Sequence, residues 1–95
     1  MKITAERLER WRAAITPLDT PELRAKYAAR DIPRAHTVRD INRRYRFDLF
    51  GWALLRGELS SADAHDGLND AHRETALRRI IPDIDSLTTP KEGGL

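Results

Sequence analysis

At 95 residues, 40% of them hydrophobic and 34% charged, the chain has material for one small domain with a limited core. It contains no cysteine, which excludes a disulfide framework and a thiolate metal site, so stability has to come from packing, self-association included. The net charge is only +2, no apolar run approaches the roughly 20 residues that cross a bilayer, and Met1 to Glu6 lacks the apolar stretch of a signal peptide. These features lead to the expectation of a cytoplasmic protein with no membrane contact.

Start and stop signals divide the chain into helices. Thr4 can cap a first helix with Glu6 in its opening turn, and Leu8, Trp11 and Ile15 form one apolar stripe before Pro17 stops it. Thr20-Pro21-Glu22 predicts a second start, with a threonine cap, proline in the first turn and an acid at the positive end of the dipole; this helix should reach about Arg30. Ile32 precedes Pro33 and is pushed out of helical geometry, which ends it. Thr37 and Asp40 form a Thr-x-x-Asp capping box that opens the longest helix, running to about Arg56 before Gly57. On it Val38, Ile41, Tyr45, Leu49 and Trp52 fall within a roughly 80° arc, which predicts the core face. Ser60 or Ser61 offers a further cap, but with Gly67 as a break the stretch Ser61 to Leu68 is read as an irregular turn. Asn69 then starts a last helix to Ile81, stopped by Pro82. Nothing reads as a strand. The expectation is an all-α bundle of about four helices over residues 1–82, followed by a flexible, disordered tail from 83 to 95, where Thr, Pro and Gly leave little to pack.

The stretch Arg43-Arg44-Tyr45-Arg46-Phe47-Asp48-Leu49-Phe50-Gly51-Trp52 joins a basic turn to an aromatic one inside that longest helix. Phe47, Phe50 and Leu54 project away from the predicted core stripe, with Arg39, Arg43 and Arg46 beside them one to two turns earlier. A helix that is apolar on two sides needs two partners. One reading is that this is simply the central helix of the bundle, wrapped on both sides. The other is that Arg39, Arg43, Arg46, Phe47, Phe50 and Leu54 bind a partner protein, since aromatic and arginine side chains anchor protein contacts. A homodimer through the same face is a variant.

Charge is distributed unevenly. From Arg24 to Arg46 eight basic residues face two acidic ones, whereas from Gly57 to Leu95 eight acidic residues face four basic ones. Such a dipole steers an acidic partner, or the two halves pair internally. Nucleic-acid binding through segment 24–46 is the alternative: Arg30, Arg34, Arg39, Arg43, Arg44 and Arg46 can neutralise phosphates, and Tyr45 or Phe47 can stack a base. Against it stand the low net charge and a connection, Asp31 to His36, that is long for a helix-turn-helix and has no glycine. Catalytic and cofactor motifs are not found. Asp63-Ala64-His65 and Asp70-Ala71-His72 place two histidines seven positions apart, but Gly67 separates them and a third ligand at defined spacing is missing. The five glycines build no phosphate loop, His36 beside Thr37 reads as a cap-region or surface residue rather than a base, and no activated-nucleophile pattern is present. The expectation is a protein with no enzymatic activity, metal or cofactor.

The run Leu23 to Arg34, the run Arg39 to Leu49 and the segment Asp70 to Pro82 resemble small uncharacterised proteins of actinobacterial phages, across roughly residues 5 to 82. The 14 arginines against 3 lysines suit GC-rich coding. The resemblance supplies no motif to transfer. It implies a context in which a short accessory protein binds and redirects a host protein in the host cytoplasm.

Overall fold

The computed structural model describes residues 3–29, 37–65 and 69–84. The fold is all-α, with no strand among the described residues. Five helices follow in order: α1 (Ala5–Ile15), running into a 3₁₀ turn (Thr16–Leu18), then α2 (Pro21–Ala28), α3 (Val38–Leu55), α4 (Ser61–His65) and α5 (Asp70–Ile80). No described helix is long and apolar enough to cross a membrane.

The caps lie where the sequence places them. The side-chain oxygens of Thr4, Thr20, Thr37 and Asn69 accept from the backbone N–H of Arg7, Leu23, Asp40 and His72 at 2.9–3.1 Å, each satisfying an amide the helix start leaves unpaired. α3 ends in a left-handed turn at Gly57, φ +76°. The Gly57 amide donates to the Leu54 carbonyl and the Glu58 amide to that of Ala53, a paired closure that needs the glycine's freedom at positive φ.

α3 is the central element and packs against α1, α2 and α5. Its buried positions are Asn42, Tyr45, Arg46, Leu49, Phe50 and Ala53, an unbroken three-four stripe. Trp11 of α1 meets Phe50 with ring centroids 4.7 Å apart, and Tyr27 of α2 sits edge-on to Tyr45 at 5.2 Å. Ile15, Leu59, Ala76, Leu77, Ile81 and Ile84 complete the core.

Four expectations change. The inner face of α3 is rotated from the predicted arc: Tyr45 and Leu49 are buried, but Val38, Ile41 and Trp52 are only half-buried, while the polar Asn42 and Arg46 go inside. Part of the stretch read as an irregular turn, Ser61–His65, is helical, because Ser60 and Asp63 cap each other: each backbone N–H donates to the other's side-chain oxygen. α2 stops at Ala28 and α5 at Ile80, short of the predicted ends. Finally, packing continues past Pro82: Ile84 is fully buried and its amide donates to Asn42 Oδ1 at 2.8 Å, so Asp83 and Ile84 belong with the domain. The rest of the predicted tail, 85–95, lies outside the described residues.

Candidate interaction face

Three polar clusters decide which charges remain at the surface. In the first, Asp19 follows the 3₁₀ turn and receives the Arg24 guanidinium in two parallel bonds, Nε to Oδ1 at 2.6 Å and Nη2 to Oδ2 at 2.5 Å, together with the Tyr45 hydroxyl. Burial alone would push the Asp19 carboxyl up; the arginine and phenol donors outweigh it and hold the carboxyl below the usual carboxylate range. Burial, followed by the Asp19 carboxylate, raises the Tyr45 hydroxyl well above its ordinary value.

The second cluster is centred on Asp63, 1% exposed, on α4. Arg10 of α1 reaches it with Nη2 at 2.6 Å and Nε at 3.3 Å, and Arg7 Nε lies 4.0 Å away. Burial again opposes ionisation, and the Arg10 guanidinium, helped by the Ser60 amide, overcomes it, so this carboxyl too lies low. The cluster ties α1 to α4 across 53 positions of sequence.

In the third, Arg46 donates through Nε to the Ile81 carbonyl at 3.1 Å and through Nη2 to Asp83. Arg24 Nη1 reaches the Asp83 carbonyl at 3.3 Å, and Arg43 Nε lies 3.6 Å from Glu74. Three arginines of the basic segment therefore meet groups of the acidic half. Two of them, Arg43 and Arg46, pair with carboxylates of that half, Glu74 and Asp83.

The six residues expected to bind a partner divide accordingly. Arg46 is 5% exposed and spans the gap to the C-terminal segment; Phe50 is also 5% exposed and packs on Trp11. Neither presents itself to a partner, because both lie on the rotated inner face. Arg39 and Arg43 are exposed, whereas Phe47 and Leu54 are half-buried. Arg43 is stacked over the Phe47 ring, 5.8 Å from its centroid. Phe47 helps to line a cavity of about 410 Å³ with Asp40, Arg43, Arg44, Asp48 and Asp70. A second cavity of about 450 Å³ lies around Arg39, Arg46 and Arg78 with Val38, Asn42 and Asp83. Asp83 and the Glu74 bond to Arg78, 2.8 Å long, offset two of its three positive charges. Arg30 and Arg34, expected as phosphate contacts, lie outside the described residues.

Sequence reasoning passed over Leu55 and Gly51. Leu55, at the end of α3, is 86% exposed, the only large hydrophobic side chain so open among the described residues. Gly51 stands mid-helix on the same side, and a Cβ built there meets nothing within 4 Å. At about 100° per residue, Phe47, Gly51, Leu54 and Leu55 share an arc opposite the buried stripe. The signal is one of phase: once Asn42, Arg46, Leu49 and Ala53 are inside, these four fall on the other side, where Phe47 and Leu54 stay partly buried against the core and Leu55 is open.

The Asp-Ala-His repeat serves the fold. Asp63 is occupied by Arg10 and Ser60, and Asp70 opens α5. Among the described residues no three His, Asp or Glu side chains converge as a metal set. The chain matches no family model, no curated protein and no solved structure.

Proposed function

We propose that this chain is a non-enzymatic helical module that binds another protein through the outer face of α3. The observation that carries the reading is Leu55, left 86% exposed beside Leu54, Phe47 and the open position at Gly51. Exposing a large apolar side chain at the end of a capped, well-packed helix forgoes burial worth roughly 1.5–3 kcal/mol, which a partner can recover. Arg43 and Arg44 border the face and supply the polar rim that protein contacts carry. The contact set becomes Arg43, Phe47, Leu54 and Leu55, with Arg39 at the edge; Arg46 and Phe50 pass to the core.

The internal pairing of Arg24, Arg43 and Arg46 favours a protein partner over nucleic acid, since those charges already face carboxylates or carbonyls. The resemblance to phage accessory proteins makes a host protein one candidate partner. The test is affinity capture with the tagged chain, with and without nuclease. One dominant protein should survive nuclease and be lost with Leu55→Asp while helical circular dichroism stays unchanged. Capture abolished by nuclease and indifferent to Leu55 would overturn the reading.

A further inference from the structure

Three arginines converge on one cavity and leave most of their donors unspent. The cavity of about 450 Å³ lies between the first half of α3, the end of α5 and Asp83; Arg39 and Arg46 reach it from α3 and Arg78 from α5. Each guanidinium carries five N–H groups. Arg39 makes no hydrogen bond or ion pair among the described residues. Arg78 uses Nη2 on Glu74, and Arg46 uses Nε on the Ile81 carbonyl and Nη2 on Asp83.

Arg46 is the informative member. It is only 5% exposed, yet its third nitrogen, Nη1, has no partner among the described residues and is not closed off from solvent. The cavity that Arg46 lines is the opening left to it. Holding a guanidinium at that depth costs desolvation, which two acceptors offset only in part. Asp83 and Glu74 balance two of the three positive charges and leave one in excess. Val38 and Arg39, in the first turn of the 18-residue α3, bring the positive end of its dipole to the same place.

The geometry also speaks to the shape of the anion. Where this chain binds a carboxylate tightly, one guanidinium is enough: Arg24 covers both oxygens of Asp19 in two parallel bonds. Donors arriving from three guanidiniums on two helices match a group with three or more outward oxygens instead of a planar pair. We infer that this cavity binds a phosphoryl group, with Arg46 at its floor and Arg39 and Arg78 at its rim. The site is separate from the outer face of α3, since it uses none of Phe47, Leu54 and Leu55. A small phosphate ester and a phosphorylated side chain of a partner share this chemistry.

Titration calorimetry of the full chain with inorganic phosphate at low salt tests the inference. Phosphate should saturate one site and shift the Arg46 Nε resonance, whereas acetate at equal ionic strength should do neither. Arg39→Gln and Arg78→Gln, both at exposed positions where the fold tolerates change, should each weaken phosphate binding about tenfold. Arg12→Gln, which removes an exposed charge on α1, should leave it unchanged. Glycerol phosphate and a phosphoserine peptide, titrated in parallel, separate the two sources: the tighter binder names the carrier. No saturable phosphate binding, acetate bound as tightly as phosphate, an unmoved Arg46 resonance, or equal losses in Arg12→Gln and Arg39→Gln would overturn the inference.

Discussion

The two faces of α3 are made of similar residues put to opposite uses. The inner face carries Asn42 and Arg46, polar but buried, among Tyr45, Leu49, Phe50 and Ala53; the outer face carries Leu54 and Leu55, apolar but half-buried or open, with Gly51 between them and Phe47. Residue polarity alone does not separate inside from outside. What separates them is whether each group has a counterpart in the rest of the chain. Asn42 and Arg46 have one in the segment Ile81–Ile84, which supplies a carbonyl, a carboxylate and an amide. Leu55 has none among the described residues, and a glycine neighbour leaves room for one.

Substitutions on the two faces should therefore separate into two kinds of effect. The largest is expected at Phe50: Phe50→Ser removes the ring packed on Trp11 and should cost about 3–5 kcal/mol in urea unfolding. A loss under about 1 kcal/mol would return Phe50 to the surface. Next comes Arg46→Met, which keeps bulk but leaves the Ile81 carbonyl without its donor; about 1–3 kcal/mol should be lost, and amide exchange at Ile84 should speed up if this residue secures the C-terminal segment.

Acid should act through Asp63 and Asp19. Both carboxyls lie below their ordinary 3.8 in the fold, so on acidification the unfolded chain takes up protons first. Their contribution is fully present above the unfolded value and is lost as pH falls below about 3.8 toward the lowered values. Asp63→Asn should flatten that acid limb while weakening the fold at neutral pH; an unchanged slope would remove Asp63 from the account. The Tyr45 hydroxyl works at the other end, since a raised value keeps it neutral in the fold while the unfolded chain ionises above about pH 10. Tyr45→Phe should cost about 1 kcal/mol at neutral pH and reduce the alkaline loss.

The smallest effects on the fold belong to the outer face. Leu55→Ser should leave thermal unfolding of dilute protein nearly unchanged. Gly51→Ala should stabilise it by roughly 0.5–1 kcal/mol, because the added methyl meets only open space in a helical position. A destabilised Gly51→Ala monomer would mean that something in the chain already covers that face.

What could be seen in the sequence was local. Thr4, Thr20, Thr37 and Asn69 work as caps, and Gly57 as a stop, because a cap is decided by three or four consecutive residues. The stripe of Leu8, Trp11 and Ile15 was legible for the same reason, as periodicity within one helix; Trp11 and Ile15 are fully buried and Leu8 packs beside them. The phase of α3 was not, since it depends on groups some 35 to 42 positions away that take up Asn42 and Arg46. Without them the two polar residues read as surface, the predicted face turned, and Phe50 was assigned outward. Ile84 was lost to the tail because a single apolar residue after Pro82 makes no pattern. The exposed side of α3 became visible only as what was left once the buried stripe was known.

The most direct test of this division is thermal unfolding of dilute protein, followed by circular dichroism, for Arg46→Met beside Leu55→Ser. The account predicts a lowered midpoint for Arg46→Met, whose side chain is buried, and a native midpoint for Leu55→Ser, whose side chain is 86% exposed. A native midpoint for Arg46→Met, or a Leu55→Ser as destabilised as Phe50→Ser, would contradict it.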